Sequence, residues 1–147
     1  MTDAGGYEFL DDVAIADVCF RVFAPELEAL FLQAARATME VMMSDPDRLR
    51  PLETRECMLR EDDPEWLLFA FLQDLIYYKD AQRLLLLPEG ISIDEGPSHW
   101  HLKATLTGET IDPERHDTNA DVKAVTLHRF AVRRTETGWE AEVVLDI

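Results

Sequence analysis

The stretch WEAEVVLDI, residues 139–147, decides the fold because it has the pattern of a strand that is buried on one face. Apolar residues occupy every second position, namely Trp139, Ala141, Val143, Leu145 and Ile147. That period of two is typical of a half-buried β-strand. Burial of the apolar face would hold this end of the chain in place, where most chain ends fray.

The opposite face of the same stretch ends at Asp146, whose side chain lies next to the α-carboxylate of Ile147. Two carboxylates held close together repel each other, and a cation between them removes that cost. Carboxylate oxygens are also the ligands that hard divalent cations prefer. The pattern therefore predicts a candidate metal site, and the alternative is an ordinary terminal strand with a solvated aspartate.

Composition limits the class of protein. A length of 147 residues suits one domain with a sizeable core, so we predict a single domain over residues 1–147, with residues 1–6 disordered. The net charge of −16 argues against bare nucleic acid as a direct ligand and favours cations or a basic protein partner. Two cysteines without a CxxC pair, and no signal or membrane-spanning pattern, predict a cytoplasmic protein.

Periodicity predicts an α+β fold, with two helices packed on largely antiparallel β-sheet layers. Residues 25–43 and 64–79 have helical spacing, and the second helix is apolar nearly all round, which predicts a central position. Strands are expected over residues 7–10, 14–24, 48–60, 84–87, 91–93, 99–106, 122–134 and 139–147. Residues 108–119 are expected to form a polar loop, and the last three strands an antiparallel meander.

Histidines, glycines and nucleophiles give no strong catalytic pattern. His99 and His101 should share one face of a strand, yet no third soft ligand is obvious nearby, so a structural or surface role is favoured over a zinc or copper site. The chain has no nucleophile elbow and no glycine-rich phosphate loop.

Asp17 and Asp146 are each the acid within an apolar alternation, near opposite ends of the sequence. The sequence does not show whether their strands are neighbours. If they are, Asp17, Asp146 and the carboxylate of Ile147 would form an all-oxygen site suited to calcium, magnesium or manganese.

Several motifs, taken in their order and spacing, resemble the archease family of small acidic proteins over residues 7–147. They are YEFL (7–10), ADV (16–18), LEALF (27–31), GE with ID and His116 (108–116), VKAVTLH (122–128) and VVLDI (143–147). The resemblance implies an archease-like fold and a non-enzymatic protein that activates the tRNA-splicing RNA ligase. That ligase joins 3′-phosphate or 2′,3′-cyclic phosphate ends to 5′-hydroxyl ends.

The resemblance also assigns roles to particular residues. It implies that the protein promotes guanylylation of the ligase histidine from GTP and lets the ligase turn over repeatedly. Asp17, Asp146 and Ile147 take the places of the family's metal ligands, usually for calcium, and magnesium or manganese remain alternatives. Lys123 and His116 are candidate contacts to the ligase or to a nucleotide phosphate.

The chain departs from the family pattern, because Ala14-Ile15 stands where His-Thr is common and Asp11-Asp12 adds two residues. Altered partner contacts or loss of one family activity are the interpretations left open. A chaperone for RNA-processing enzymes such as tRNA methyltransferases is the second functional hypothesis. A metal-dependent phosphohydrolase is the third, and it lacks a general base with a positioned partner.

Overall fold

A computed structural model describes residues 5–10 and 17–147, which form two antiparallel sheets and two helices. Four strands form the first sheet in the order β1-β2-β7-β6. Their bounds are Gly6–Leu10 for β1, Asp17–Ala24 for β2, Ala124–Thr135 for β6 and Gly138–Asp146 for β7. The predicted strand residues 14–16 and the Asp11-Asp12 interruption lie outside the described residues.

Three strands form the second sheet in the order β3-β5-β4. Strand β3 spans Glu53–Glu61, β4 spans Leu84–Glu95 and β5 spans Trp100–Thr110. The sequence predicts an irregular strand over residues 48–60. In the structure a short 3-10 helix, Pro46–Arg48, ends where that strand was expected to begin, and β3 starts only at Glu53. Helix α1 spans Leu27–Met42 and α2 spans Pro64–Gln82.

Both helices contact both sheets, so they lie between the sheets. Phe31 of α1 and Phe71 of α2 are fully buried, with ring centroids 5.7 Å apart. One hydrophobic cluster joins them to the inner faces of β2 and β7 and to β4 and β5. Each such buried Leu or Phe side chain stabilises the fold by roughly 1.5–3 kcal/mol. The predicted α+β class and the central position of α2 are confirmed.

Helix α2 begins with the predicted cap, because the Asp63 carboxylate accepts the Trp66 backbone N–H at 2.9 Å. It ends three residues later than predicted, at Gln82. Arg83 then adopts a left-handed conformation, and its N–H bonds to the Lys79 and Tyr78 carbonyls. This left-handed cap is uncommon for a residue with a side chain and has no simple signature in the sequence.

Two predicted connections are wrong. The runs 84–87 and 91–93 belong to one strand, β4, because Pro88 and Gly90 form a bulge rather than a break. The last three strands are not a meander. Strand β5 pairs with β3 and β4 in the other sheet, and only β6 and β7 form a hairpin. Local periodicity identifies strands, but it does not identify the partners of a strand.

The predicted disorder of residues 1–6 does not extend to Gly6, which begins β1 opposite Phe23. Gly5 has a φ of +91°, and a Cβ there would lie 2.1 Å from the Phe23 carbonyl oxygen. The close approach of the two backbones therefore requires glycine at this position. Residues 1–4 are not among the described residues.

The predicted polar loop 108–119 contains a buried ionic network. Strand β5 continues to Thr110, and Glu109 is only 3% exposed. Its carboxylate accepts hydrogen bonds from the Arg115 Nη2 at 2.9 Å, the Arg50 Nη2 at 3.0 Å and the Arg50 backbone N–H at 2.8 Å. The His116 Nε2 lies 3.3 Å from the same group.

Hydrogen bonds from Arg115 lower the pKa of the Glu109 carboxyl well below its ordinary value of 4.5. Burial opposes this shift, and the Arg50 and His116 contacts add to it. Glu109 thus joins the end of β5 to the segments around residues 50 and 115. Across the described part of the chain, no helix is long and apolar enough to span a membrane.

We expect the Glu109→Gln variant to lose roughly 1–3 kcal/mol of unfolding free energy, because the buried acceptor of Arg115 and Arg50 is lost while both arginines stay partly hydrated. The native pKa is depressed, so the contribution of Glu109 to stability is fully present above pH 4.5 and is lost as the pH falls below that value. Urea unfolding at pH 7 and at pH 3 measures both effects.

Glu114→Gln is the matched control, because Glu114 is exposed in the same segment. Its unfolding free energy should stay within about 0.5 kcal/mol of the wild type. An equally small loss for Glu109→Gln at pH 7 would contradict a stabilising role for the network.

Candidate functional site

The pairing of β2 with β7 places Asp17 directly opposite Asp146. Residues opposite each other on one face of an antiparallel pair have Cβ atoms roughly 4.5–5.5 Å apart. Both aspartates are half-buried, and the next residue, Ile147, packs partly buried against the core. The two strands that the sequence left unconnected are therefore neighbours, and their acids meet at one end of the sheet.

Beyond the aspartates, further pairs of facing β2 and β7 residues occupy the outer face of the first sheet, one pair in each row. The next row holds Cys19 opposite Val144, and both are fully buried. Burial raises the pKa of the Cys19 thiol, and the nearby Glu142 carboxylate adds to the rise. A protonated thiol is a poor metal ligand, so the oxygens of the aspartates are the better donors at this end of the sheet.

Other acids on this face have cationic partners. Arg21 lies 3.5 Å from the Glu140 carboxylate and 3.8 Å from that of Glu142. Arg129 also pairs with Glu142, at 2.8 Å. None of the ion pairs formed among the described residues includes Asp17 or Asp146. Among residues 5–10 and 17–147, the aspartate pair is thus the part of the face where like charges stand opposite each other and neither makes an ion pair.

The carboxylate oxygens of Asp17 and Asp146 are ligands of the kind that a hard cation prefers, but two carboxylates are too few to hold it. Within residues 5–10 and 17–147, no group of three or more His, Cys, Asp or Glu side chains could hold a metal ion. A site on Asp17 and Asp146 therefore needs further oxygens, and the main chain of Ile147 is the adjacent source. Oxygen-only donor sets select calcium, magnesium or manganese over softer metals.

Lys123 lies beside the aspartate pair, immediately before β6. Its backbone N–H donates to the Asp146 carbonyl at 2.8 Å, and Ala124 is opposite Asp146 in the β6–β7 register. The Lys123 side chain is exposed. The structure therefore brings Asp17, Asp146, Ile147 and Lys123 to one end of the first sheet, which we call the acidic tip.

The sequence reasoning missed Lys79, which holds the segment leading to Lys123. Its side chain is 7% exposed, and its Nζ lies 2.6 Å from both Asp80 and Asp121. The same group donates to the Val122 carbonyl at 2.7 Å. Burial acts to lower the pKa of Lys79, but the hydrogen bonds to Asp121 and Asp80 outweigh it and raise the pKa. The signal in the sequence that could have identified Lys79 was a lysine on an otherwise apolar face of α2.

His116 lies in a different environment. It is 4% exposed, its Nδ1 accepts the Asp112 backbone N–H at 2.8 Å, and its Nε2 faces Glu109. The ring is thus hydrogen-bonded within its own segment through Nδ1, while Nε2 only lies near Glu109 without a hydrogen bond, and this arrangement favours a local structural role. The contact of His116 with a partner stays a prediction.

His99 and His101 are not arranged as a strand pair. Strand β5 begins at Trp100, so His99 precedes it, and its Nδ1 lies 3.3 Å from the Asp62 carboxylate. His101 is exposed on β5 opposite Arg60 and Asp94. This arrangement agrees with the structural and surface roles that were favoured for them.

We expect Lys79→Met to destabilise the protein by about 1–3 kcal/mol, because the Val122 carbonyl loses a buried donor while Asp80 and Asp121 remain hydrated. The amide of Lys123 should exchange its hydrogen faster, since the segment before it is no longer held. Native-state hydrogen exchange measures this effect. Lys103→Met, on an exposed lysine of β5, is the control, and equal exchange in both variants would contradict the role of Lys79.

Comparisons with known proteins agree with this architecture. The model of the archease protein family (MTH1598/TM1083) matches residues 7–147. Protein archease of Thermococcus gammatolerans is 32% identical over 133 residues, which cover 90% of this chain and 93% of that protein. Protein archease of Methanothermobacter thermautotrophicus is 33% identical over 142 residues, which cover 97% and 99%.

Two solved structures are similar as well. The solution structure of Methanobacterium thermoautotrophicum protein 1598 has a TM-score of 0.82 and 33% identity, over 97% of this chain and 99% of that one. The crystal structure of an archease from Thermotoga maritima, described as a possible chaperone, has a TM-score of 0.63 and 20% identity, over 91% and 93%, and supports the fold alone. With a family model that covers nearly its whole length and relatives above 30% identity, the chain belongs to the archease family.

Proposed function

We propose that this archease is a non-enzymatic activator of the tRNA-splicing RNA ligase and acts through its acidic tip. The pairing of Asp17 with Asp146 is the observation that carries the proposal. It supports the proposal because the two aspartates that the family resemblance assigns as metal ligands face each other across the β2–β7 pair.

In this proposal Asp17, Asp146 and Ile147 would hold a divalent cation, calcium in the sense usual for the family. A cation bound there supplies positive charge that can attract nucleotide phosphate groups. The exposed side chain of Lys123, whose backbone N–H is bonded to the Asp146 carbonyl, can contact the same phosphates or an acidic group of the ligase. Lys79 and the β6–β7 pairing keep Lys123 in place, so the tip needs little reorganisation when a partner binds.

Charge supports a basic partner. The net charge of −16 is far from neutral, and a ligase that holds RNA should present a positive channel. Complementary fields of this kind raise the rate of encounter more than they raise the affinity. The proposed partner contact therefore predicts an association rate that falls steeply with salt.

The metal assignment is tested by Asp17→Asn and Asp146→Asn, which keep shape but remove charge. Without cations, each variant should be at least as stable as the wild type, because the cross-strand repulsion is relieved. With calcium at 100 times its Kd, the wild type should gain about 2.7 kcal/mol and the variants much less. Thermal unfolding with and without calcium, repeated with magnesium and manganese, measures the difference.

Asp94→Asn is the matched control, because it removes an exposed carboxylate from the second sheet. It should retain the full calcium response. Equal stabilisation of the wild type and all three variants would remove the metal site from the acidic tip.

Activation is tested by following incorporation of labelled guanylate into the purified ligase. We expect substoichiometric amounts of the protein to accelerate incorporation and to permit repeated turnover. Lys123→Met should weaken the acceleration while the calcium response stays intact, because the ammonium group contacts the partner rather than the cation. Lys103→Met is the control for loss of an exposed lysine, and no acceleration by the wild type would refute the proposal.

The chaperone hypothesis is the second candidate, since the archease from Thermotoga maritima is described as a possible chaperone. A chaperone would suppress aggregation of an RNA-processing enzyme such as a tRNA methyltransferase. Suppression that is equal in the wild type and Asp17→Asn, without guanylate acceleration, would favour this hypothesis over ligase activation.

A further inference from the structure

Strand β3 is an edge of the second sheet and pairs on one side only, with β5. It is nine residues long and contains no proline. An uncovered edge of this length presents a row of unpaired N–H and C=O groups to another strand. The edge therefore needs either protection or a partner.

Two other edge strands, β6 and β4, have backbone N–H groups that helix side chains accept. Gln73 and Glu65 of α2 accept the backbone N–H groups of Val125 and Val132 in β6, at 3.0 and 3.1 Å. Glu28 of α1 accepts a backbone N–H of β4 at 3.3 Å. In the part of the chain that the structure describes, no side chain accepts a backbone N–H of β3.

The sequence of β3, ETRECMLRE, is self-complementary about Met58. When two copies pair antiparallel with Met58 opposite the partner's Met58, Glu56 stands opposite the partner's Arg60. In the same register, Arg55 stands opposite the partner's Glu61. Each pair occurs twice by symmetry, and opposite charges in directly facing positions stabilise a strand pair.

The side chains that this pairing needs are available. Met58 is 73% exposed at the middle of the strand. Within the described residues Glu56, Arg60 and Glu61 form no ion pair, and Glu56 only accepts a hydrogen bond from the Thr105 hydroxyl at 3.2 Å. Arg55 contacts Gln82 and Glu53 of its own chain and donates to the Thr54 carbonyl at 2.8 Å, and its Nη2 group keeps donors free.

We propose that the β3 edge is a self-association surface, at which two copies of this chain pair antiparallel about Met58. The pairing joins two three-stranded sheets into one sheet of six strands. Asp17 and Asp146 belong to the other sheet, so the proposal is independent of the function of the acidic tip. One strand edge buries less than the roughly 1,200 Å² of a stable interface, so the dimer forms weakly and depends on concentration.

Sedimentation of the full chain over a concentration series tests the proposal through a charge swap. Arg60→Glu places like charges opposite each other at two positions and should raise the dimer Kd roughly tenfold or more. The double variant Glu56→Arg/Arg60→Glu restores opposite charges with unchanged net charge, and its Kd should return to near the wild-type value.

Lys103→Glu is the control for the added negative charge, because Lys103 lies opposite Met58 on β5, one strand in from the edge. It should dimerise nearly as well as the wild type. A wild type that stays monomeric throughout the series, or a double variant that stays as weak as Arg60→Glu, would overturn the proposal.

The register is tested by oxidation of Met58→Cys. The native cysteines, Cys19 and Cys57, are buried, and the new thiol would face its own copy across the axis, at a Cα separation that a disulfide can span. Covalent dimers should form readily for Met58→Cys. They should form poorly for Thr54→Cys, whose partner would be Asp62. The opposite result would overturn the register.

Discussion

The acidic tip depends on the register between β2 and β7. The inner faces of these strands bury Phe20, Val22, Val143 and Leu145 in the core shared with the helices. A slip of one residue in either strand would turn the two core side chains of that strand to the outer face. The hydrophobic core therefore holds Asp17 opposite Asp146 despite their mutual repulsion. Relief of this repulsion would contribute to the binding free energy of a cation at the acidic tip.

The neighbouring strand adds rigidity to the same end of the sheet. The hydrogen bond from the Lys123 N–H to the Asp146 carbonyl continues the β6–β7 pairing beyond the first residue of β6. The buried ammonium of Lys79 then fastens Val122, one residue earlier. A tip built in this way can present an exposed lysine next to two carboxylates without a long flexible loop, which lowers the entropy lost on contact with a partner.

Alternation and helical spacing were sufficient to predict the α+β class, most strands and the positions of both helices, because these are local patterns. They also singled out Asp17 and Asp146, since an acid inside an apolar alternation is visible without a structure. Strand partners were not predictable, because β5 and β6 follow one another in sequence but belong to different sheets. The network around Glu109 was missed for a related reason, since its polar sequence resembles a solvated loop until Arg50 is brought to it from 59 residues away.

Polar and charged side chains have opposite effects at two sheet edges, because they block strand pairing at β6 and favour it at β3. Glu65 and Gln73 occupy backbone donors of β6, so that edge is closed to another strand. The charges of β3 would also discourage pairing if they all had one sign. Their order about Met58 changes that outcome, because each acid meets a base when the strand faces its own copy. A charged edge therefore excludes other strands while it admits its own, and specificity of this kind requires only the order of the charges and no change in composition.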